Sequence, residues 1–140
     1  MKRKGFVVLA VICMVSVVCS IGLLIRLHEV KTKRVYQEIL AVSLADARQQ
    51  AEEYRQAGSD MAYRYLLGDL CVIRDMTARL EAPDSDGIRE FYHLAVANPS
   101  FLQTRMNEVQ AILQTMEEAY DHPNLANLIH RLRNEAESGE

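Results

Sequence analysis

Residues 6–25 read FVVLAVICMVSVVCSIGLLI, a run of 20 residues without a charged side chain, of which 17 are apolar. A helix of this length rises about 30 Å, which matches the hydrocarbon thickness of a bilayer. In lipid the backbone must satisfy its own hydrogen-bonding groups, and a single segment can do so only as a helix. The stretch therefore predicts a transmembrane helix, and we place the basic N-terminus and anchor at residues 1–27.

Basic side chains lie on both sides of this apolar stretch. They are Lys2, Arg3 and Lys4 before it, and Arg26, Lys31, Lys33 and Arg34 after it. Because the two groups are similar in number, the positive-inside rule gives little preference. From residue 35 onward the chain holds nine Arg, no Lys and 18 acidic residues. We expect the N-terminus to be cytoplasmic and this acidic part extracytoplasmic, with the opposite orientation as the alternative.

A cleaved signal peptide also begins with basic residues and an apolar run. The cleavage sites that this stretch offers, Val18-Cys19-Ser20 and Ser20-Ile21-Gly22, lack the usual pattern of small residues, and the apolar run continues beyond both. We therefore favour an uncleaved anchor. A secreted, soluble helical protein remains the alternative.

The rest of the chain, residues 28–140, shows helical periodicity and no alternation typical of strands. We expect helices at 28–57, 60–82, 88–97 and 100–120 and a last one from 125, with a disordered tail at 136–140. The predicted fold is all-α: one transmembrane helix followed by an antiparallel bundle of four to five amphipathic helices with short loops.

Turn and capping residues set the expected helix ends. Gly58 is a natural stop, and Ser59 or Asp60 can cap the next helix. The residues PDSDG at 83–87 predict a loop, and Ser100 with Gln103 predicts a capping box. The stripe expected to be buried in the first helix is widened by Val35 and Ile39 and consists of Tyr36, Leu40, Leu44, Ala47, Ala51 and Tyr54.

The most regular apolar stripe follows residue 100 and alternates spacings of four and three, as in a coiled coil. We name its members as candidate helix-contact residues: Leu102, Met106, Val109, Leu113, Met116 and Tyr120. The spacing suits packing inside one bundle and pairing with a second chain, including a homodimer.

The residue types that carry enzyme chemistry are sparse and scattered. Glu90 and His93 form one E-x-x-H pair, whereas di-iron bundles use two such pairs and two further carboxylates. Cys71 has no base nearby in the sequence. We therefore predict no catalytic, cofactor-binding or metal-binding residue. A metal-dependent enzyme that uses Glu90, His93, Glu118 and His122 is the least favoured alternative.

The overall charge bears on the partners of the chain. With 16 Lys and Arg against 19 Asp and Glu, the formal net charge is −3, which argues against nucleic-acid binding. We expect a single-pass, membrane-anchored helical protein that acts as a non-enzymatic interaction or assembly module at the membrane surface. Its expected partners are the lipid bilayer and another envelope or membrane protein, or a second copy of itself.

Overall fold

The computed structural model describes residues 2–119 and 123–139, with side chains described at 13–119 and 124–139. The chain is 91% helical, and no strand occurs among the described residues. Within them the helices are α1 (Lys2–Ala57), α2 (Asp60–Arg79), α3 (Ser85–Ala97), α4 (Pro99–Thr104), α5 (Met106–Glu118) and α6 (Pro123–Ser138). The prediction of an all-α fold is confirmed.

The chain divides into two compact units, Met1–Val35 and Tyr36–Glu140. The described part of the first unit is helical throughout and belongs to α1. The second unit contains the rest of α1 together with α2–α6, and these form the helical bundle.

One apolar core holds the second unit together. Its most deeply buried large side chains are Leu66, Leu70, Ile73, Ile88, Phe91, Leu102, Ile112, Leu113, Met116, Leu125, Ile129 and Leu132. The second-unit part of α1 adds Leu40, Leu44, Ala47 and Ala51. Every helix of the unit therefore contributes to this core. The stripes that the sequence predicted in the first helix and after residue 100 therefore lie largely on the faces that the bundle buries.

The predicted width of the α1 stripe is wrong. Val35 is 50% exposed and Ile39 is 39% exposed, whereas Leu40 and Leu44 are buried. Ile39 lies one position before Leu40, which turns it about 100° away from the centre of the buried face. The neighbouring helices of the bundle therefore leave it on the surface.

The junction between α1 and α2 agrees with the sequence. Gly58 adopts the left-handed conformation with φ of 62°, and its amide donates to the Tyr54 carbonyl oxygen at 2.7 Å. Ser59 then caps α2, because its hydroxyl oxygen accepts a hydrogen bond from the Ala62 amide at 3.4 Å. Both are the roles predicted for these residues.

The single helix predicted at 100–120 is divided at Arg105 into α4 and α5. Arg105 has φ of −111° and ψ of 31°, which is outside the helical range, and the Thr104 hydroxyl donates to the Phe101 carbonyl oxygen at 2.7 Å. A hydroxyl that bonds to the carbonyl three residues earlier competes with the helical pattern. The predicted capping box is also wrong, since Pro99 is the first residue of α4 and no side chain caps its start.

Further helix ends differ from the prediction, and α2, which was predicted to reach residue 82, ends at Arg79. α3 begins at Ser85, inside the predicted loop, and its first turn contains Asp86, which suits the positive end of the helix dipole. α6 continues to Ser138, although the sequence predicted disorder from residue 136. Ala136 packs against the core and Arg133 pairs with Glu137 at 3.1 Å, so this last turn has tertiary and ionic support.

Candidate functional site

The apolar part of the first unit is exposed. From Cys13 onward α1 is long and apolar enough to cross a membrane, and none of its most apolar window is buried within the chain. Its exposed large side chains are Met14, Val15, Val17, Val18, Ile21, Leu23, Leu24, Ile25 and Leu27. A soluble protein rarely presents a continuous apolar surface of this size to water.

The basic residues that flank this stretch all lie in α1. Lys2, Arg3 and Lys4 form its first turn, and their side chains lie outside the described part. Beyond the apolar stretch, Arg26, Lys31, Lys33 and Arg34 have exposed side chains. The second group therefore presents positive charge beside the apolar surface, where phosphate headgroups would meet a membrane helix.

Ser16 and Ser20 have the spacing of small residues that lets two membrane helices approach closely. The Ser20 hydroxyl, however, donates to the Ser16 carbonyl oxygen at 2.8 Å. Because its donor is already used within its own helix, this pair does not require a hydrogen bond from a second helix.

The candidate helix-contact residues are used inside the bundle. Leu102, Met106, Val109, Leu113 and Met116 are each at most 4% exposed and belong to the common core. Tyr120 lies outside the described residues. The described part of this stripe therefore packs against the chain's own helices and leaves little surface for a partner.

The candidate metal-binding residues are not brought together. The Glu90 carboxylate accepts a hydrogen bond from Arg133 at 2.9 Å, and His93 is exposed. Glu118 accepts one from Gln114 at 3.4 Å, while His122 lies outside the described residues. Among the side chains that the structure describes, no group of three or more His, Cys, Asp or Glu residues is placed to hold a metal ion.

Cys71 belongs to a packing contact between α2 and α3. Arg74 donates to its sulfur at 3.5 Å, lies 4.5 Å from the centre of the Tyr92 ring and pairs with Asp75 at 2.7 Å. A hydrogen bond with the Cys71 thiol raises the pKa of Tyr92, and burial raises it further. The cation over the ring stabilises the contact between the two helices.

A polar cluster joins α1 to α5. Glu52 accepts hydrogen bonds from Arg55 at 2.7 Å and from Gln56 at 2.6 Å within α1. It also accepts one from Gln110 of α5 at 2.5 Å. These bonds, that of Arg55 first, lower the pKa of Glu52 to about 2. Arg48 and Glu117 form an ion pair between the same two helices. The cluster therefore fixes the edge of α1 that faces α5.

The opposite edge of α1 lies beside α2 and forms a surface that was not predicted from the sequence. We call it the α1–α2 face, and it consists of Ile39, Val42, Asp46, Tyr65, Asp69 and Val72. Its four apolar or aromatic side chains are 39%, 62%, 58% and 37% exposed in chain order. The signal was present in the sequence, since each helix contributes three residues at spacings of three and four.

The two carboxylates of the α1–α2 face affect one another. Partial burial raises the pKa of Asp69, and the nearby negative charge of Asp46 raises it further. Both effects on the pKa destabilise the ionised form of Asp69. The face therefore combines exposed apolar side chains with uncompensated negative charge.

Comparison with known proteins does not identify a relative. No protein-family model matches the chain, and neither a curated protein nor a solved structure matches it significantly.

Proposed function

We propose that this chain is a single-pass membrane protein whose helical bundle acts as a non-enzymatic interaction or assembly module at the membrane surface. The observation that carries the proposal is the exposed apolar stretch of α1. Met14, Val18 and Leu24 are 71%, 68% and 65% exposed, and no described residue of the chain covers them. Lipid chains would remove this surface from water, with a gain of roughly 25 cal/mol for each Å² buried.

The flanking charges support the same proposal. Arg26, Lys31, Lys33 and Arg34 follow the apolar stretch and are exposed. Cations near anionic headgroups contribute about 1 kcal/mol each. We propose that the N-terminus is cytoplasmic and the bundle extracytoplasmic, because the chain beyond residue 34 is strongly acidic and has no Lys.

The proposal of a binding role is supported by how the bundle uses its polar groups. Carboxylates of the bundle are engaged in structural contacts, as Glu90 is with Arg133 and Glu52 is with Gln110. The α1–α2 face, by contrast, leaves both apolar and charged groups without a partner in the described chain. Anchoring the bundle in a membrane would raise its effective concentration toward partners in the same membrane.

Carbonate extraction of membranes that contain the full-length chain tests the anchor. We expect the chain to stay in the pellet and the variant Val18→Arg to move toward the supernatant, because an arginine near the centre of a span costs about 2.5–3.5 kcal/mol. Val96→Arg is the matched control, since Val96 is half-exposed on α3 in the other unit. Complete release of the unaltered chain would exclude the anchor.

Two measurements separate the remaining alternatives. The intact mass of the mature chain shows whether the apolar stretch is retained, and loss of about 20 residues would indicate a secreted protein instead. Labelling Ser138→Cys in a Cys71→Ser background with a membrane-impermeant maleimide shows the orientation. Reaction in intact cells is expected, and protection until lysis would indicate the opposite orientation.

A further inference from the structure

The α1–α2 face lies between two contacts that hold its helices side by side. At one end the rings of Tyr54 and Tyr63 are 5.7 Å apart, and at the other the Arg79 guanidinium lies 5.6 Å from the centre of the Tyr36 ring. These contacts pair Tyr36 of α1 with the end of α2, and the end of α1 with the start of α2, so that the two helices run antiparallel. The middle of the α1 segment between Tyr36 and Tyr54 is therefore beside the middle of α2.

The two carboxylates of the face, Asp46 and Asp69, occupy this middle region. Within the described side chains neither forms an ion pair, whereas other carboxylates, such as Glu52, Glu90 and Glu117, do. Asp46 is exposed but Asp69 is partly buried, and a partly buried charge is costly unless it is paired. The described part of the bundle thus supplies no paired cation for the adjacent negative charges of Asp46 and Asp69, and a cation of a partner could pair with them.

Apolar side chains surround these carboxylates along the same face. Ile39 and Val42 precede Asp46 by seven and four residues on α1, and Tyr65 and Val72 lie within one turn of Asp69 on α2. All four are more than a third exposed. Two adjacent helices with such side chains form a surface onto which a third helix can pack.

We propose that the α1–α2 face binds an amphipathic helix of a partner protein that carries Lys or Arg beside its apolar stripe. The proposal rests on the function proposed above and specifies its partner. The apolar stripe would cover Ile39, Val42 and Val72, and the cation would lie between Asp46 and Asp69. Charge complementarity of this kind increases both the association rate and the specificity of a complex.

The same charges disfavour other occupants of the face. Packing of two copies through this face would bring four carboxylates together, two from each chain. Anionic headgroups would likewise be repelled. A cationic helix is the partner whose charge the face complements.

The experiment uses the full-length chain in nanodiscs of zwitterionic lipid. Two synthetic amphipathic peptides, each about 18 residues long so that helices can form, share one apolar face and carry either Lys or Glu beside it. Peptide anisotropy gives the affinity, after subtraction of the signal from empty discs. We expect the Lys peptide to bind at least tenfold more tightly than the Glu peptide.

Variants assign the binding to the face. Asp46→Asn with Asp69→Asn should weaken Lys-peptide binding at least fivefold and leave the Glu peptide unaffected or bound more tightly. Val42→Ser with Val72→Ser should weaken the Lys peptide by a similar factor. Asp86→Asn and Val96→Ser remove the same chemical groups from α3 and should change the affinity less than twofold.

Equal affinities for the two peptides, or equal losses in the face and control variants, would overturn the proposal. Absence of Lys-peptide binding would also overturn it, and so would a dimer in sedimentation that the paired Asn variant strengthens, since that result assigns the face to a second copy. Carbonate extraction is a separate measurement. Failure of the proposed anchor is therefore distinguishable from failure of the proposed face.

Discussion

The Tyr63 hydroxyl donates a 2.8 Å hydrogen bond to the Ala95 carbonyl oxygen, across the contact between α2 and α3. In a continuing helix that carbonyl would accept from the amide four residues later, but residue 99 is proline and has no N–H. The Tyr63 hydroxyl thus supplies the donor that the backbone cannot supply at Pro99. Both residues are buried, so the bond also satisfies a group that water does not reach.

Removing this hydroxyl should destabilise the bundle. We expect Tyr63→Phe to lower the free energy of unfolding by about 1–3 kcal/mol, because the Ala95 carbonyl is then buried without a donor. Denaturant unfolding of the full chain in detergent, followed by far-UV circular dichroism, measures the change. Tyr65→Phe is the control, since Tyr65 lies on the same helix and is 58% exposed, and it should have little effect.

The same tyrosine should make stability depend on pH in alkaline solution. Burial raises the pKa of Tyr63 to about 12, from the ordinary value of 10.0. Between pH 10 and 12 the unfolded chain therefore loses a proton that the folded chain keeps, so stability falls as the pH rises. The slope of unfolding free energy against pH should be smaller in Tyr63→Phe than in the unaltered chain, and an unchanged slope would contradict the assignment.

Glu52 should make stability depend on pH in acidic solution, where stability falls as the pH decreases. Its pKa is about 2 in the folded chain, against 4.5 ordinarily, so its contribution is fully present above pH 4.5 and is lost as the pH falls through 2. Glu52→Gln should reduce the loss of stability measured between pH 5 and pH 2 (the window that these pKa values define). Glu53→Gln, at the next position and outside the cluster with Gln110, should leave that pH dependence as it is.

Two glycines should respond to alanine with opposite signs. Gly58 has φ of 62°, which alanine adopts only with strain, and Gly58→Ala should cost about 1 kcal/mol. Gly68 lies inside α2 with nothing within 4 Å of an added Cβ, so that Gly68→Ala should stabilise by about 0.5–1 kcal/mol. Denaturant midpoints of the two variants should move in opposite directions, and a common direction would contradict this assignment.

Leu113 distinguishes an internal stripe from a partner interface. It is 0% exposed in the core, so Leu113→Ala should lower the unfolding free energy by about 2–5 kcal/mol in the isolated chain. Val96→Ala, at a half-exposed position on α3, is the control and should cost well under half as much. A small effect of Leu113→Ala in the absence of any partner would contradict burial of this stripe within the bundle.

The helices were largely predictable because the pattern that defines them is local. Leu102, Met106, Val109, Leu113 and Met116 recur at spacings of three and four, and the structure buries all of them. The cap at Ser59 and the left-handed turn at Gly58 were predictable for the same reason, since each depends on the chemistry of one or two residues. The break between α4 and α5 at Arg105 was not predictable, because arginine is itself compatible with a helix.

The candidate surface was harder to predict from the sequence than the core. Ile39 lies at the margin of the predicted stripe, and only the packing of the bundle shows that it stays exposed. Asp46 and Asp69 are 23 positions apart in the chain, and nothing local relates them. Their interaction appears only when α1 and α2 lie side by side.

The sequence by itself determined the apolar stretch, the all-helical character and which face of most helices is buried. These follow from composition and periodicity, which act over one or two turns of backbone. The tertiary structure alone decided that the Tyr63 hydroxyl donates to the Ala95 carbonyl oxygen and that the regular stripe of α4 and α5 is buried within the bundle. It also decided that Asp46 and Asp69 lie near each other on an exposed face. Such relationships depend on distances between separate helices, which helix packing sets and the spacing along a single helix does not encode.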